Sequence, residues 1–173
     1  MISRKQLKIF FQAAFQEAEK GSKQEDGGPA RKVSLSDAGG PFGALVVKAG
    51  QIVGKGHNTV WKENDPTSHA EIKAIRQAGK LLKSPHLQGC CLVTTSEPCL
   101  MCLSAAYWAR VSRIYYCLPK SVAANFGFID SFIDEDLKKA PLKRKTALVH
   151  CGDFESDGKK LFHQWRANKG KIY

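Results

Sequence analysis

The chain has 173 residues, a length that fits one domain able to bury its own hydrophobic core without cross-links. Hydrophobic residues make up 43% of the sequence and charged residues 25%, which is typical of folded globular proteins and excludes a disordered chain. No run approaches the roughly 18 apolar residues of a membrane-spanning helix. No signal-peptide pattern is found, so we expect a cytoplasmic protein without membrane contact.

The formal net charge of +11 would allow contact with polyanions such as nucleic acid. The densest basic cluster lies between Lys138 and Lys145 and contains no aromatic residue on which a base could stack. Runs of like charge are usually exposed, so we interpret this cluster as a solvated surface segment and keep nucleic-acid binding as an alternative.

Hydrophobic periodicity predicts alternating helices and strands along the chain. The predicted elements in chain order are a helix over 3–20, strands over 43–48 and 51–56 joined as a hairpin, a helix over 68–82, a strand over 90–95, a helix from Pro98 to Trp108, a strand over 113–117, a short helix within 126–137, a strand over 147–151 and a helix over 159–167. The signal is weakest after residue 117.

This order of elements predicts an α/β fold, because successive strands separated by helices pair in parallel through right-handed crossovers. We expect one domain over 1–173, with a mixed sheet of about five strands covered by helices on both faces. Glycines and charges dominate 21–40 and large apolar residues are few there, so this segment is predicted to be a flexible insertion.

Two short motifs place metal-binding side chains at predicted helix starts. His69 begins one helix, and Cys99 and Cys102 begin the helix that follows the strand over 90–95. A helix N-terminus favours the thiolate form of cysteine, and two thiolates with one imidazole suit Zn²⁺. In a reducing compartment, metal binding by such a cysteine pair is more common than a disulfide. Three protein ligands leave a fourth position for water, as in catalytic zinc sites. The pattern therefore predicts one catalytic zinc ion per chain.

Glu71 is the candidate proton carrier. It lies two residues after His69, about 200° further round an ideal helix, so a shared direction towards the metal requires a distorted helix start. Zinc deaminases combine H-x-E with P-C-x-x-C, and their glutamate is a general acid and base instead of a ligand. Either motif alone is more often structural or incidental, whereas both together indicate a catalytic zinc.

At these positions the sequence resembles the cytidine deaminase superfamily, and within it the guanine deaminases of bacteria. The resemblance covers most of the chain and is carried by Gly40-Pro-Phe-Gly-Ala44, His57-Asn58, the segment from Asn64 to Glu71, the segment from Ser96 to Cys102, Tyr107-Trp-Ala-Arg110, the segment from Gly127 to Phe132, and the ending from Gln164 to Tyr173. The insertion over 21–40 departs from the family pattern.

The resemblance implies a three-layer α/β/α fold and a homodimer. It also implies that a C-terminal tail over 158–173 closes the pocket, sometimes by exchange between subunits. In that family Asn58 would hydrogen-bond a purine ring, Asp130 would read its polar edge, Phe42 and Trp108 would flank it and Tyr173 would belong to the lid. Such residues suit a ring that is flat, apolar on its faces and polar at its edge. By residue type alone, the two aromatic residues are as readily core and the two polar ones turn residues.

The implied reaction is hydrolysis of guanine to xanthine and ammonia, in which zinc-bound hydroxide attacks C2 and Glu71 moves the protons. Guanosine or another small aminated nucleobase or nucleoside is an open alternative. Adenosine deamination in tRNA is a further one, against which Phe42, Tyr107-Trp108 and the segment 127–132 argue. A non-catalytic zinc- or RNA-binding module is the alternative of another class, and the intact Glu71 argues against it.

Overall fold

A computed structural model describes residues 2–22 and 39–172 of the chain. The chain forms two compact units, residues 1–129 and 130–173. The prediction of a single domain over 1–173, with a tail or lid over 158–173, stays a prediction. Of the predicted insertion over 21–40, residues 23–38 lie outside the described part, whereas Gly21 and Ser22 continue the first helix.

The first unit alternates helices and strands as the periodicity predicts. Its elements are α1 Arg4–Ser22, β1 Gly43–Lys48, β2 Gln51–His57, the short helix α2 Val60–Glu63, α3 Ala70–Leu82, β3 Cys90–Ser96, α4 Leu100–Trp108, β4 Arg113–Leu118 and α5 Lys120–Asn125. The short helices α2 and α5 were not predicted. The hairpin of β1 and β2, the strands β3 and β4 and the helices α1, α3 and α4 confirm the corresponding predictions.

The strands form one mixed sheet in the order β2-β1-β3-β4. Strand β1 pairs antiparallel with both β2 and β3, and β3 pairs in parallel with β4. The α/β class is therefore confirmed. The strand β3 lies between two neighbours, so its backbone is held on both sides.

The sheet has four strands among the described residues, so the expected fifth strand over 147–151 is wrong. Leu148 and Val149 are instead 59% and 72% exposed. A strand persists only where a neighbour satisfies its backbone groups. The described part of the second unit contains only helices: α6 Ser131–Leu137, α7 Glu155–Ala167 and two single-turn 3-10 helices. Helices were predicted within 126–137 and over 159–167, and the latter begins earlier than expected.

Helices cover both faces of the sheet in the first unit. Successive strand residues point to opposite faces, so Leu45 and Val47 pack with Phe10 and Ala14 of α1 on one side. On the other side the core joins the even-numbered residues of β1 and β3 to small residues of α3 and α4: Ala44, Val46, Leu92, Ala70, Ala74, Ala78 and Ala106. The layers are helix, sheet and helix, which confirms the three-layer architecture.

Glycines in β2 bring α3 against the sheet. A Cβ atom at Gly56 would overlap the carbonyl oxygen of Ala70 and lie 2.8 Å from the amide nitrogen of Ala74. Only glycine allows such an approach of helix backbone to strand backbone. The first turn of α3 is thereby held against the end of β2, which fixes where the helix presents its N-terminus.

Within the described residues, no helix has the length and apolar character that crossing a bilayer requires.

Candidate metal centre and active site

Two helix N-termini meet at one end of the sheet in the first unit. His69 is the residue before α3 and has an extended backbone, with φ −74° and ψ 153°. Cys99 holds the equivalent position before α4, with φ −65° and ψ 170°, and Cys102 lies in the first turn of that helix. The three side chains predicted to bind metal therefore come from two helix starts, as expected.

The donor atoms of these residues form a compact cluster. The Nδ1 atom of His69 lies 3.5 Å from the Sγ atom of Cys102 and 3.7 Å from that of Cys99. All three donor atoms lie within 4.8 Å of one another. A tetrahedral zinc ion with ordinary Zn–S and Zn–N bond lengths would separate nitrogen and sulfur by about 3.6 Å. The donor set and its spacing therefore fit Zn²⁺.

The extended backbone of His69 explains how Glu71 shares its side of the helix. The predicted angle of about 200° between the two residues applies only if both are helical. Helix α3 begins at Ala70, so His69 lies outside the helix and its side chain is free of that rotation. No distortion of the helix is needed, because His69 is the N-cap residue and has an extended backbone.

Glu71 is buried beside the cluster without belonging to it. The residue is only 5% exposed. The Oε1 atom accepts a hydrogen bond from the hydroxyl of Thr94 at 3.0 Å, and Oε2 lies 3.4 Å from the Sγ atom of Cys102. Burial raises the pKa of the Glu71 carboxyl above its usual range. A carboxyl in this setting is able to hold a proton and release it again.

The two thiols differ in acidity. The pKa of Cys99 is lowered to about 4, chiefly because Cys102 donates a hydrogen bond to its sulfur and His69 adds another. The pKa of Cys102 is raised by that same hydrogen bond and by burial. A divalent cation among the donors would favour the thiolate form of both, since a nearby positive charge lowers a thiol pKa.

Asn58 and Phe42 lie together where β1 begins and β2 ends. The side-chain Oδ1 of Asn58 accepts hydrogen bonds from the backbone N–H groups of Gly40 and Val60, both at 3.3 Å. The backbone N–H of Asn58 donates to the carbonyl of Phe42. The ring of Phe42 packs edge-on against Phe128, with centroids 4.8 Å apart. Asn58 is buried, and its side chain joins the segment before β1 to the segment after β2.

Comparison with known proteins decides the family. The family model of the cytidine and deoxycytidylate deaminase zinc-binding region matches residues 5–118, which include Glu71 and all three metal-binding residues. The chain belongs to this deaminase family. The resemblance noted in the sequence is confirmed, and the zinc predicted from the motifs is supported both by the family and by the donor geometry.

Several known proteins are similar to this deaminase chain in sequence or in structure. Guanine deaminase of Bacillus subtilis (strain 168) is 49% identical over 124 residues, covering 68% of this chain and 80% of that protein. The X-ray structure of guanine deaminase from Bacillus subtilis matches with a TM-score of 0.80 at 37% identity, covering 96% of this chain and 97% of that one. A tRNA-specific adenosine deaminase of Aquifex aeolicus (strain VF5) is 43% identical over 76 residues, covering 44% of this chain and 50% of that protein. The crystal structure of a variant of the protein NE0047 in complex with 8-azaguanine matches with a TM-score of 0.61 at 25% identity, covering 72% of this chain and 65% of that one.

Among the remaining predicted site residues, Trp108 lies apart from the three metal-binding side chains of the first unit. Trp108 ends α4, nine residues after Cys99 and so about 13 Å further along the helix axis, and it is 68% exposed. Asp130 is the residue before α6 in the second unit. Tyr173 lies outside the described residues. The predicted contacts of these three residues with substrate stay predictions.

Sequence reasoning missed two groups that support the deaminase site. One is Thr94, a fully buried polar residue on the α3 face of β3. The other is a hydrogen-bonded network just before His69, in which the carboxylate of Glu63 accepts from Ser68 and Lys73. These two donors lower the pKa of Glu63 to about 2. The alternation of β3 could have revealed Thr94, because it shares a face with the apolar residues Cys90 and Leu92.

Proposed function

We propose that this chain is a zinc-dependent guanine deaminase that hydrolyses guanine to xanthine and ammonia. The observation that carries the proposal is the buried carboxyl of Glu71, whose Oε2 atom lies against a cluster of three zinc donors. Guanine is proposed as the substrate because the Bacillus subtilis relative that covers most of this chain is a guanine deaminase.

His69, Cys99 and Cys102 would hold one zinc ion per chain. When bound, the ion lowers the pKa of a water molecule so that it can act as a nucleophile near neutral pH. Glu71 accepts the proton that this water gives up, because its Oε2 atom faces the donor cluster. The raised pKa of this carboxyl favours the protonated form that the next step requires.

The reaction balances with water as the only co-reactant. The water oxygen forms a bond to C2 of guanine, and Glu71 carries one proton to the ring nitrogen beside C2. The same carboxyl then takes the remaining proton from the new hydroxyl group on C2 and delivers it to the exocyclic amino group. The bond between C2 and that nitrogen breaks, which releases ammonia and leaves a carbonyl at C2. Glu71 is thus proposed to act in turn as base and acid.

Two residues of the first unit are proposed to hold the purine. Both accepting positions of the Asn58 oxygen are taken by backbone N–H groups, so its amide NH₂ is the group proposed to contact the ring. It would donate to a ring acceptor. Phe42 is proposed to lie against a face of the ring, since an aromatic wall suits a flat apolar surface.

The remaining contacts are proposed to come from other segments. Asp130 would read the polar edge of the purine, Trp108 would flank the ring and Tyr173 would help to close the pocket. We further propose a cytoplasmic homodimer whose subunits exchange their C-terminal tails. Helix α7 exposes Leu161 and Trp165, which lie one turn apart on the same side of the helix, and an exposed apolar patch is typical of a contact surface.

A substrate panel tests this function. Zinc-loaded protein is expected to release ammonia from guanine faster than from guanosine, adenine, cytosine, cytidine or a tRNA anticodon hairpin. The hairpin represents the second candidate, which the match to a tRNA-specific adenosine deaminase favours. A Glu71→Gln variant with the same zinc content provides the blank. Preferred release from the hairpin or from guanosine would replace guanine as substrate, and no release from any compound would favour a non-catalytic module.

A further inference from the structure

The hydroxyl of Thr94 contacts one oxygen of the Glu71 carboxyl and leaves the other to the metal cluster. The Oγ1 atom of Thr94 lies 3.0 Å from Oε1, while Oε2 lies 3.4 Å from the Sγ atom of Cys102. We propose that Thr94 is a positioning residue that holds Oε1 and so makes Oε2 the oxygen that carries protons. The inference rests on the function proposed above.

Thr94 is suited to this role because its own position is rigid. It lies in β3, where it pairs with Ala44 of β1 on one side and with Tyr116 of β4 on the other. The residue has no exposed surface. A β-branched side chain has few χ1 rotamers, so a fixed backbone also fixes the direction of the hydroxyl.

Glu71 needs such a restraint. The terminal torsion of a glutamate is broad and roughly two-fold, so an unrestrained carboxyl group can turn and exchange its oxygens. The hydroxyl of Thr94 donates its proton to Oε1, which leaves that oxygen a poorer site for a transferred proton. Oε2 faces Cys102 and therefore the reacting water proposed above. The hydrogen bond also joins the first turn of α3 to the inner strand β3.

The test compares three substitutions of Thr94 in the zinc-loaded, full-length protein with guanine as substrate. Thr94→Val keeps the shape of the side chain and removes the hydroxyl that donates to Glu71. We expect kcat to fall about 10- to 100-fold, because misplacing a catalytic group lowers the rate by about that factor. KM and zinc content are expected to stay within about twofold of wild type, since Thr94 is proposed to act through Glu71 alone. Thr94→Ser keeps the donor and is expected to restore kcat to within about threefold of wild type. Thr94→Cys, a weak donor, is expected to fall between them.

Thr95→Val is the matched control. Thr95 is the next residue of β3, points to the opposite face, and its hydroxyl accepts a hydrogen bond from the backbone of Gly43 at 3.1 Å. Removing that hydroxyl is expected to lower stability without changing kcat. A loss of kcat caused by general weakening of β3 would therefore appear in both valine variants.

Several outcomes would overturn the inference. A Thr94→Val protein with the kcat of wild type, or a Thr94→Ser protein as impaired as Thr94→Val, would do so. If Thr94→Val does not fold, the comparison is between Thr94→Ser and Thr94→Cys. Equal kcat values for these two variants would overturn the inference, whereas a lower kcat for Thr94→Cys supports it. Failure of the proposed function looks different, because wild type itself would then release no ammonia from guanine.

Discussion

Replacing Glu71 by glutamine is expected to lower kcat for guanine by about 10³- to 10⁴-fold while the protein keeps its zinc. Glutamine has the size of glutamate and can still accept the hydrogen bond from Thr94 that the structure gives to Oε1. It cannot take up and return a proton. The three donor atoms of the metal cluster are untouched by the change. Rates of ammonia release, together with zinc content measured by mass spectrometry, check this prediction.

The control for this variant is Glu19→Gln. Glu19 is an exposed residue of α1, so the same chemical change there is expected to leave kcat within about twofold of wild type. A Glu71→Gln protein that carries a full complement of zinc and keeps more than a tenth of the wild-type kcat would show that another group moves the protons.

Replacing Cys102 by serine is expected to remove both zinc and activity. Cys102 is completely buried, and its sulfur is one of the three donors. A neutral hydroxyl is a far poorer zinc ligand than a thiolate. Since a ligand that binds only the folded state stabilises it, the wild-type protein is expected to lose about 3 to 4 kcal/mol of unfolding free energy when a chelator removes the metal. The Cys102→Ser protein is expected to unfold at a temperature that the chelator does not change.

Cys117→Ser is the control for this prediction. Cys117 is an exposed cysteine of β4 outside the metal cluster, so its loss is expected to change neither zinc content nor the effect of the chelator. One tightly bound zinc per chain in Cys102→Ser, measured after dialysis against chelator, would contradict the assigned ligand set.

The parts of the site that depend on local pattern could be predicted from the sequence. His69, Cys99 and Cys102 were identifiable because each stands at a helix start that composition and spacing mark. The order of helices and strands likewise indicated a sheet covered on both faces, and the nearly continuous apolar runs of β1 and β3 fit strands buried on both sides. These features are local, since each is encoded in fewer than about ten consecutive residues.

Features that depend on distant partners were missed or misplaced. The hydrogen bond between Thr94 and Glu71 joins residues from separate elements, and no periodicity encodes it. The apolar run over 147–151 has the composition of a strand, but a strand also needs a neighbouring strand. The proposed contact of Trp108 with substrate stays a prediction, because Trp108 lies at the opposite end of α4 from Cys99 and the contact would depend on parts of the chain distant in sequence.

X-ray absorption spectroscopy at the zinc edge of the wild-type protein tests the central claim most directly. The donor cluster predicts a first shell with two sulfur atoms at about 2.3 Å, one imidazole nitrogen at about 2.0 to 2.1 Å, and one further light atom from solvent. A shell closed by four protein ligands, or one without sulfur, would contradict a zinc site that leaves one position for water.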